Sequence, residues 1–108
     1  MDVSGTFNLP VSVSWAQSQT RRVELNCLTA GGTVTINLPS IADIKAVNGG
    51  NVELVVNDAD GNAGANNITV VADAGAGDTL EGGASHVVSV NDESNVYVIG
   101  NDSTWVIL

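Results

Sequence analysis

Short runs rich in β-branched residues recur along this chain between clusters of Gly, Asn, Asp and Ser. That rhythm restricts the chain to strands joined by tight turns. About nine runs qualify: Val11 to Trp15, Val23 to Thr29, Thr33 to Leu38, Val52 to Val56, Asn67 to Ala72, Thr79 to Glu81, His86 to Val90, Asn95 to Ile99 and Thr104 to Leu108. In Thr33-Val34-Thr35-Ile36-Asn37-Leu38 apolar and polar residues alternate strictly, so one face is wet and the other packs inward. The expected fold class is all-β, a compact antiparallel sandwich or barrel of about nine short strands.

One helix interrupts the strands, near residues 40-48. Ser40 is placed to cap it, Asp43 follows three residues later, and Ile41, Ile44 and Val47 share one face before Gly49-Gly50 ends it. Two turns are marginal alone, so this helix must dock on a sheet. There is also an internal echo. Thr6-Phe7-Asn8-Leu9-Pro10 matches Thr35-Ile36-Asn37-Leu38-Pro39, and Val23-Glu24-Leu25 matches Val52-Glu53-Leu54 at the same offset. The echo suggests a duplicated strand-loop-strand unit, and the lack of a third copy argues against a repeat array.

With 108 residues there is room for a single domain, 1-108, with one core. Apolar residues make up 44% of the chain but aromatics only 4%, so the core must be built from Val, Ile, Leu and Ala in thin β layers. Three basic residues face twelve acidic ones, a formal charge of -9, which argues against a surface for nucleic acid or anionic lipid. The start, Met1-Asp2-Val3-Ser4, shows no export leader, and no apolar run approaches the length of a membrane span. The expectation is a protein made in a cytoplasm.

No motif commits the chain to chemistry. Asp58-Ala59-Asp60-Gly61-Asn62 places carboxylates at alternate positions around a Gly turn, but Asn67 stands where a calcium loop needs a bidentate Glu. Asp58 and Asp60 are therefore expected to be turn residues whose replacement by Asn is nearly silent. Ala74-Gly75-Ala76-Gly77-Asp78 lacks the Lys-Ser/Thr of a phosphate loop. Cys27 lies in an apolar stretch and reads as a small buried hydrophobe, and His86 has no nucleophile or carboxylate at a telling distance. We expect no catalytic residues, no cofactor and no metal.

Two runs bear on partners. Val96-Tyr97-Val98-Ile99 and Trp105-Val106-Ile107-Leu108 are apolar on both faces, and a short chain has few layers with which to cover both. A neighbouring protein chain supplies that cover most simply. Residues 1-20 are a candidate extended arm, because Phe7, Leu9, Val11, Val13 and Trp15 all fall on one face of an extended chain. Those five, with Tyr97 and Trp105, are the candidate interface residues. A carbohydrate-binding β domain would instead use Trp15, Tyr97 and Trp105 as its platform.

Residues 33 to 108 resemble the β-modules of tailed-bacteriophage virion proteins. The resemblance rests on Thr33 to Pro39, Asn67-Ile68-Thr69-Val70, the corner Gly77-Asp78-Thr79-Leu80-Glu81-Gly82-Gly83, and the closing Asn101-Asp102-Ser103-Thr104-Trp105-Val106-Ile107. Ser103 stands where that closing turn usually has Gly. The resemblance implies a non-enzymatic virion structural protein, in first place a capsid decoration or cement protein that binds and stabilises the major capsid lattice. A head-fibre or tail-fibre receptor-binding module is the alternative. Its implied partners are further copies of itself, as a homotrimer, and the major capsid protein or a neighbouring virion protein. The implied location is the capsid surface.

Overall fold

The computed structural model describes residues 1–11, 22–49 and 51–108. Strands β1 (Asp2–Val3), β2 (Gly5–Asn8), β3 (Arg22–Cys27), β4 (Val34–Asn37), β5 (Glu53–Asp58) and β6 (Ile68–Val71) alternate between two sheets as the chain advances. β1, β3 and β5 lie parallel in one sheet, and β2, β4 and β6 lie parallel in the other. The chain therefore winds as a coil whose successive turns stack. Four further strands close it: β7 (Thr79–Leu80), β8 (Ser85–Val88), β9 (Ser94–Ile99) and β10 (Thr104–Ile107). β8 lies antiparallel beside β6, and the β9–β10 hairpin is inserted between β5 and β7. The result is a six-stranded sheet, β1-β3-β5-β9-β10-β7, and a four-stranded sheet, β2-β4-β6-β8.

The strand-rich, two-sheet expectation holds, with one short helix, but an antiparallel sandwich does not describe it. The sheets are mixed, and the coiled part is parallel. Period-two alternation specifies which side chains face inward and leaves strand direction open, because a parallel and an antiparallel neighbour bury the same alternate residues. Each connection here crosses to the opposite sheet before returning, and that makes the neighbours parallel.

Part of the internal echo is a stacking register. Thr6 lies opposite Thr35, Phe7 opposite Ile36 and Asn8 opposite Asn37. The second echo is displaced: Val23 faces Leu54, not Val52. A shift of two residues keeps every inward side chain inward, so the core tolerates it. A third turn also exists, with Val34 opposite Ile68 and Thr35 opposite Thr69, at a spacing the sequence echo does not mark.

The core lies between the sheets. Val23, Leu25, Val34, Ile36, Leu54, Val56, Ile68 and Val70 are buried there, together with Tyr97 and Trp105. Helix α1 (Ile41–Asn48) joins this cluster through Ile41 and Ile44, whereas Val47 remains 58% exposed. Its N-terminus carries two acceptors. Ser40 accepts from the Asp43 N–H at 3.2 Å, and the buried Asp78 carboxylate accepts from the Ile41 N–H at 2.9 Å. These bonds satisfy N–H groups the helix cannot pair internally. Gly49, at φ 76°, ends it where a side chain would be strained.

Candidate functional site

The outer face of the six-stranded sheet divides into a polar half and an aliphatic half. Val23, Leu25 and Cys27 point into the core, so Arg22, Glu24 and Asn26 point out. Register then fixes the rows. Asp2, Asn26, Asn57 and Ser94 stand side by side across four strands. Their side chains are linked: Asn26 donates to Asp2 at 3.4 Å, Asn57 to Asn26 at 3.1 Å and Ser94 to Asn57 at 2.5 Å. The next row runs Glu24, Val55, Val96, and the row after it Arg22, Glu53, Val98, Val106. Leu108 extends the Val96 row, its N–H donating to the Val96 carbonyl at 2.9 Å.

Val55, Val96, Val98, Val106 and Leu108 thus form one aliphatic block on three adjacent strands. Val55 is buried, the other three valines are half-buried and Leu108 is 74% exposed. Beside this block, Arg22 pairs with Glu24 at 3.5 Å and Glu53 at 3.7 Å, ion pairs that solvent weakens.

A second polar centre lies where three loops meet. The Asp58 carboxylate accepts from Thr29 Oγ1 at 2.5 Å and from the N–H groups of Gly61 at 3.2 Å, Ala63 at 3.0 Å and Asp92 at 2.9 Å. Asp58 is 6% exposed, and Asn62 N–H donates to Thr29 Oγ1 at 3.1 Å. Burial pushes this carboxyl up, but hydrogen bonds from Thr29 and from the backbone of Ala63 and Asp92 outweigh it and hold Asp58 below the ordinary carboxylate value. This corrects the view of Asp58 as a replaceable turn residue, since it is the acceptor that fastens the loops together. Asp60 is exposed and, among the described residues, accepts from the Ala30 N–H at 3.0 Å. Among the described residues no group of three or more His, Cys, Asp or Glu converges as a metal site would require.

A groove of about 380 Å³ runs past the C-terminal ends of the parallel strands of the smaller sheet. Asn8, Asn37 and Asp73 supply its polar side chains, and Leu9, Leu38 and Pro39 part of its apolar lining. Asp73 is its one ionisable side chain, so the groove brings together no acid and base.

The candidate interface residues are dispersed. Tyr97 and Trp105 are fully buried core residues, 0% exposed, so neither offers a surface to a partner or a platform to a sugar. Both faces of those strands are apolar, and the larger residues took the inner one. Leu9 is buried and Phe7 half-buried against the same core. Val11 is half-buried. Val13 and Trp15, with most of the proposed Val11 to Trp15 strand, lie outside the described residues. The described part of the 1-20 arm is woven into the body, with β1 on β3 and β2 on β4. Sequence reading missed the Asp58 clamp, because its partners are drawn from residues 29, 61, 63 and 92.

Cys27 is buried beside Asp58, and burial followed by that negative charge pushes its thiol up to about 12. Such a thiol is a packing residue and a poor nucleophile. His86 Nδ1 and the Tyr97 hydroxyl lie 2.9 Å apart, joining the two sheets. Among the described residues no helix is long and apolar enough to cross a membrane. The chain matches no protein-family model and no curated protein.

Proposed function

We propose that this chain is a non-enzymatic structural protein that docks on other protein chains through the outer face of its six-stranded sheet. The observation that supports this is the accessible block Val96, Val98, Val106 and Leu108, with the buried Val55 beside it, an aliphatic surface on a face where sheets of this kind carry polar residues. The resemblance of residues 33 to 108 to tailed-phage β-modules supports a virion as the setting of that docking. In that setting the chain is a capsid decoration or cement protein, present as a homotrimer and bound to the major capsid protein or a neighbouring virion protein. The surplus of acid, -9 overall, favours a basic partner surface and disfavours nucleic acid.

The test is a density map of the particle that carries this chain, paired with Val98→Glu and Val106→Glu proteins. Copies at symmetry axes of the head shell are expected, and the variants should lose attachment while melting like the parent. Copies found only on the tail would overturn the decoration reading. Variants that attach unchanged would overturn the docking face.

A further inference from the structure

The two sheets finish their edges differently. The six-stranded sheet ends on two-residue stubs. One carries Asp2, and beside the other the Glu81 carboxylate accepts the Ile107 N–H at 2.7 Å, closing the edge of β10 beyond β7. Short strands and edge carboxylates are devices that prevent pairing with another chain. The four-stranded sheet ends on the four-residue strands β2 and β8, Gly-Thr-Phe-Asn and Ser-His-Val-Val, which hold no carboxylate, Lys or Arg in a chain of charge -9.

Hydrogen-bond parity shows what these edges offer. Leu9 N–H donates to the Asn37 carbonyl at 3.0 Å, so Phe7 shares that side and Thr6 and Asn8 turn their backbone groups away from β4. Ala72 N–H donates to the Ala84 carbonyl at 3.0 Å, so His86 and Val88 face β6 while Ser85 and Val87 face away. No described strand pairs with either outward set. Two residues on β2 thus match two on β8. Phe7, inward-facing yet half-buried at the β2 end of the core, gains cover if a strand is added there.

We propose that copies of this chain join head to tail, β2 of one pairing with β8 of the next, so that the four-stranded sheet runs on between subunits. The occupant is a second copy, since these neutral edges meet without opposing carboxylates and carry equal sets of outward groups. Such a joint is heterologous and closes into a ring when the rotation per subunit permits, three copies giving a trimer. It uses a surface separate from the valine face and stands or falls independently of it.

The test uses Thr6→Pro and Val87→Pro, each removing an outward N–H while leaving the β4 or β6 ladder intact. Light scattering at high micromolar concentration should give the parent a mass several times that of its 11.0 kDa chain, and each variant alone the mass of one chain. Mixed in equal amounts, the variants should form a dimer, because one intact β2 and one intact β8 remain. If a proline disturbs the fold, as judged by circular dichroism, Thr6→Lys and Val87→Lys give the same readout. A parent with the mass of one chain, a single variant that keeps the parent mass, or a mixture that fails to pair overturns the proposal. Val98→Glu, which leaves the joint intact, should keep the parent mass.

Discussion

Asn37 donates its side-chain N–H to Asn8 Oδ1 at 2.8 Å, across 29 residues of sequence, and this bond ties the first turn of the coil to the second. The separation is the one at which the strand sequences repeat, because identical polar residues on stacked parallel strands come side by side and satisfy each other. A similar ladder runs through Asp2, Asn26, Asn57 and Ser94 on the other sheet. Both ladders keep an outer surface ordered without burying it, and they leave the aliphatic block as the part of the larger sheet most in need of cover.

Asp58→Ala should be the most damaging single polar substitution in the loops. It leaves the Thr29 hydroxyl and three backbone N–H groups without their acceptor, at about 1–3 kcal/mol for each group left unsatisfied and buried. Asp58→Asn should cost less, and Asp60→Asn almost nothing. Because the folded carboxyl lies below its unfolded value of about 3.9, the unfolded chain binds the proton more readily. The contribution is therefore present above that pH and is lost as pH falls through the folded value. Urea unfolding at pH 7 and at successively lower pH should show this loss in the parent and a flatter profile in Asp58→Asn.

Cys27 should resist thiol reagents in the folded protein. Its side chain is 0% exposed and its thiol is pushed up to about 12, so almost no thiolate exists at pH 8. A colorimetric thiol assay should read zero fast-reacting groups in the native chain and one after denaturation. Prompt reaction without denaturant would show that the β3 end opens readily.

Deleting residues 1–9 should unfold the protein or leave it barely stable. The deletion removes β1 and β2 and takes the buried Val3 and Leu9 and the half-buried Phe7 out of the core. Each large apolar side chain contributes about 1.5–3 kcal/mol when fully buried, against a total stability of about 5–15 kcal/mol. Circular dichroism of the truncated chain decides it, and a cooperative unfolding transition like the parent's would mean that the first turn of the coil is dispensable.

Ser40→Ala should lower stability by about 1 kcal/mol, since the Asp43 N–H loses its acceptor. Asp78→Ala should cost more, because the Asp78 carboxylate is buried and its bond to the Ile41 N–H joins the helix to a loop far along the chain. Chemical denaturation of both variants checks the order; equal losses would mean that the Asp78 bond adds nothing beyond an ordinary cap.

The sequence by itself did not place β1 and β2, but it determined the places of strands β3 to β10, the helix with its Ser40 cap, and the inward set of side chains on the alternating strands. These depend on neighbours a few residues apart, through alternation, capping and turn residues. It also carried the stacking of Thr6 on Thr35 and Asn8 on Asn37, written as a repeat. Tertiary structure alone decided that the coiled strands run parallel, that Ile68 to Val71 supply a third turn, and that the β9–β10 hairpin enters between β5 and β7. It also decided which face of a doubly apolar strand is inside: Tyr97 and Trp105 went to the core, where large rings bury most area, and left the smaller Val96, Val98 and Val106 outside. The Asp58 clamp was settled at the same level, because its donors come from three loops that only the finished fold brings together. Local patterns specify which residues point inward, whereas strand direction and partner choice depend on contacts between residues far apart in sequence, which no short pattern encodes.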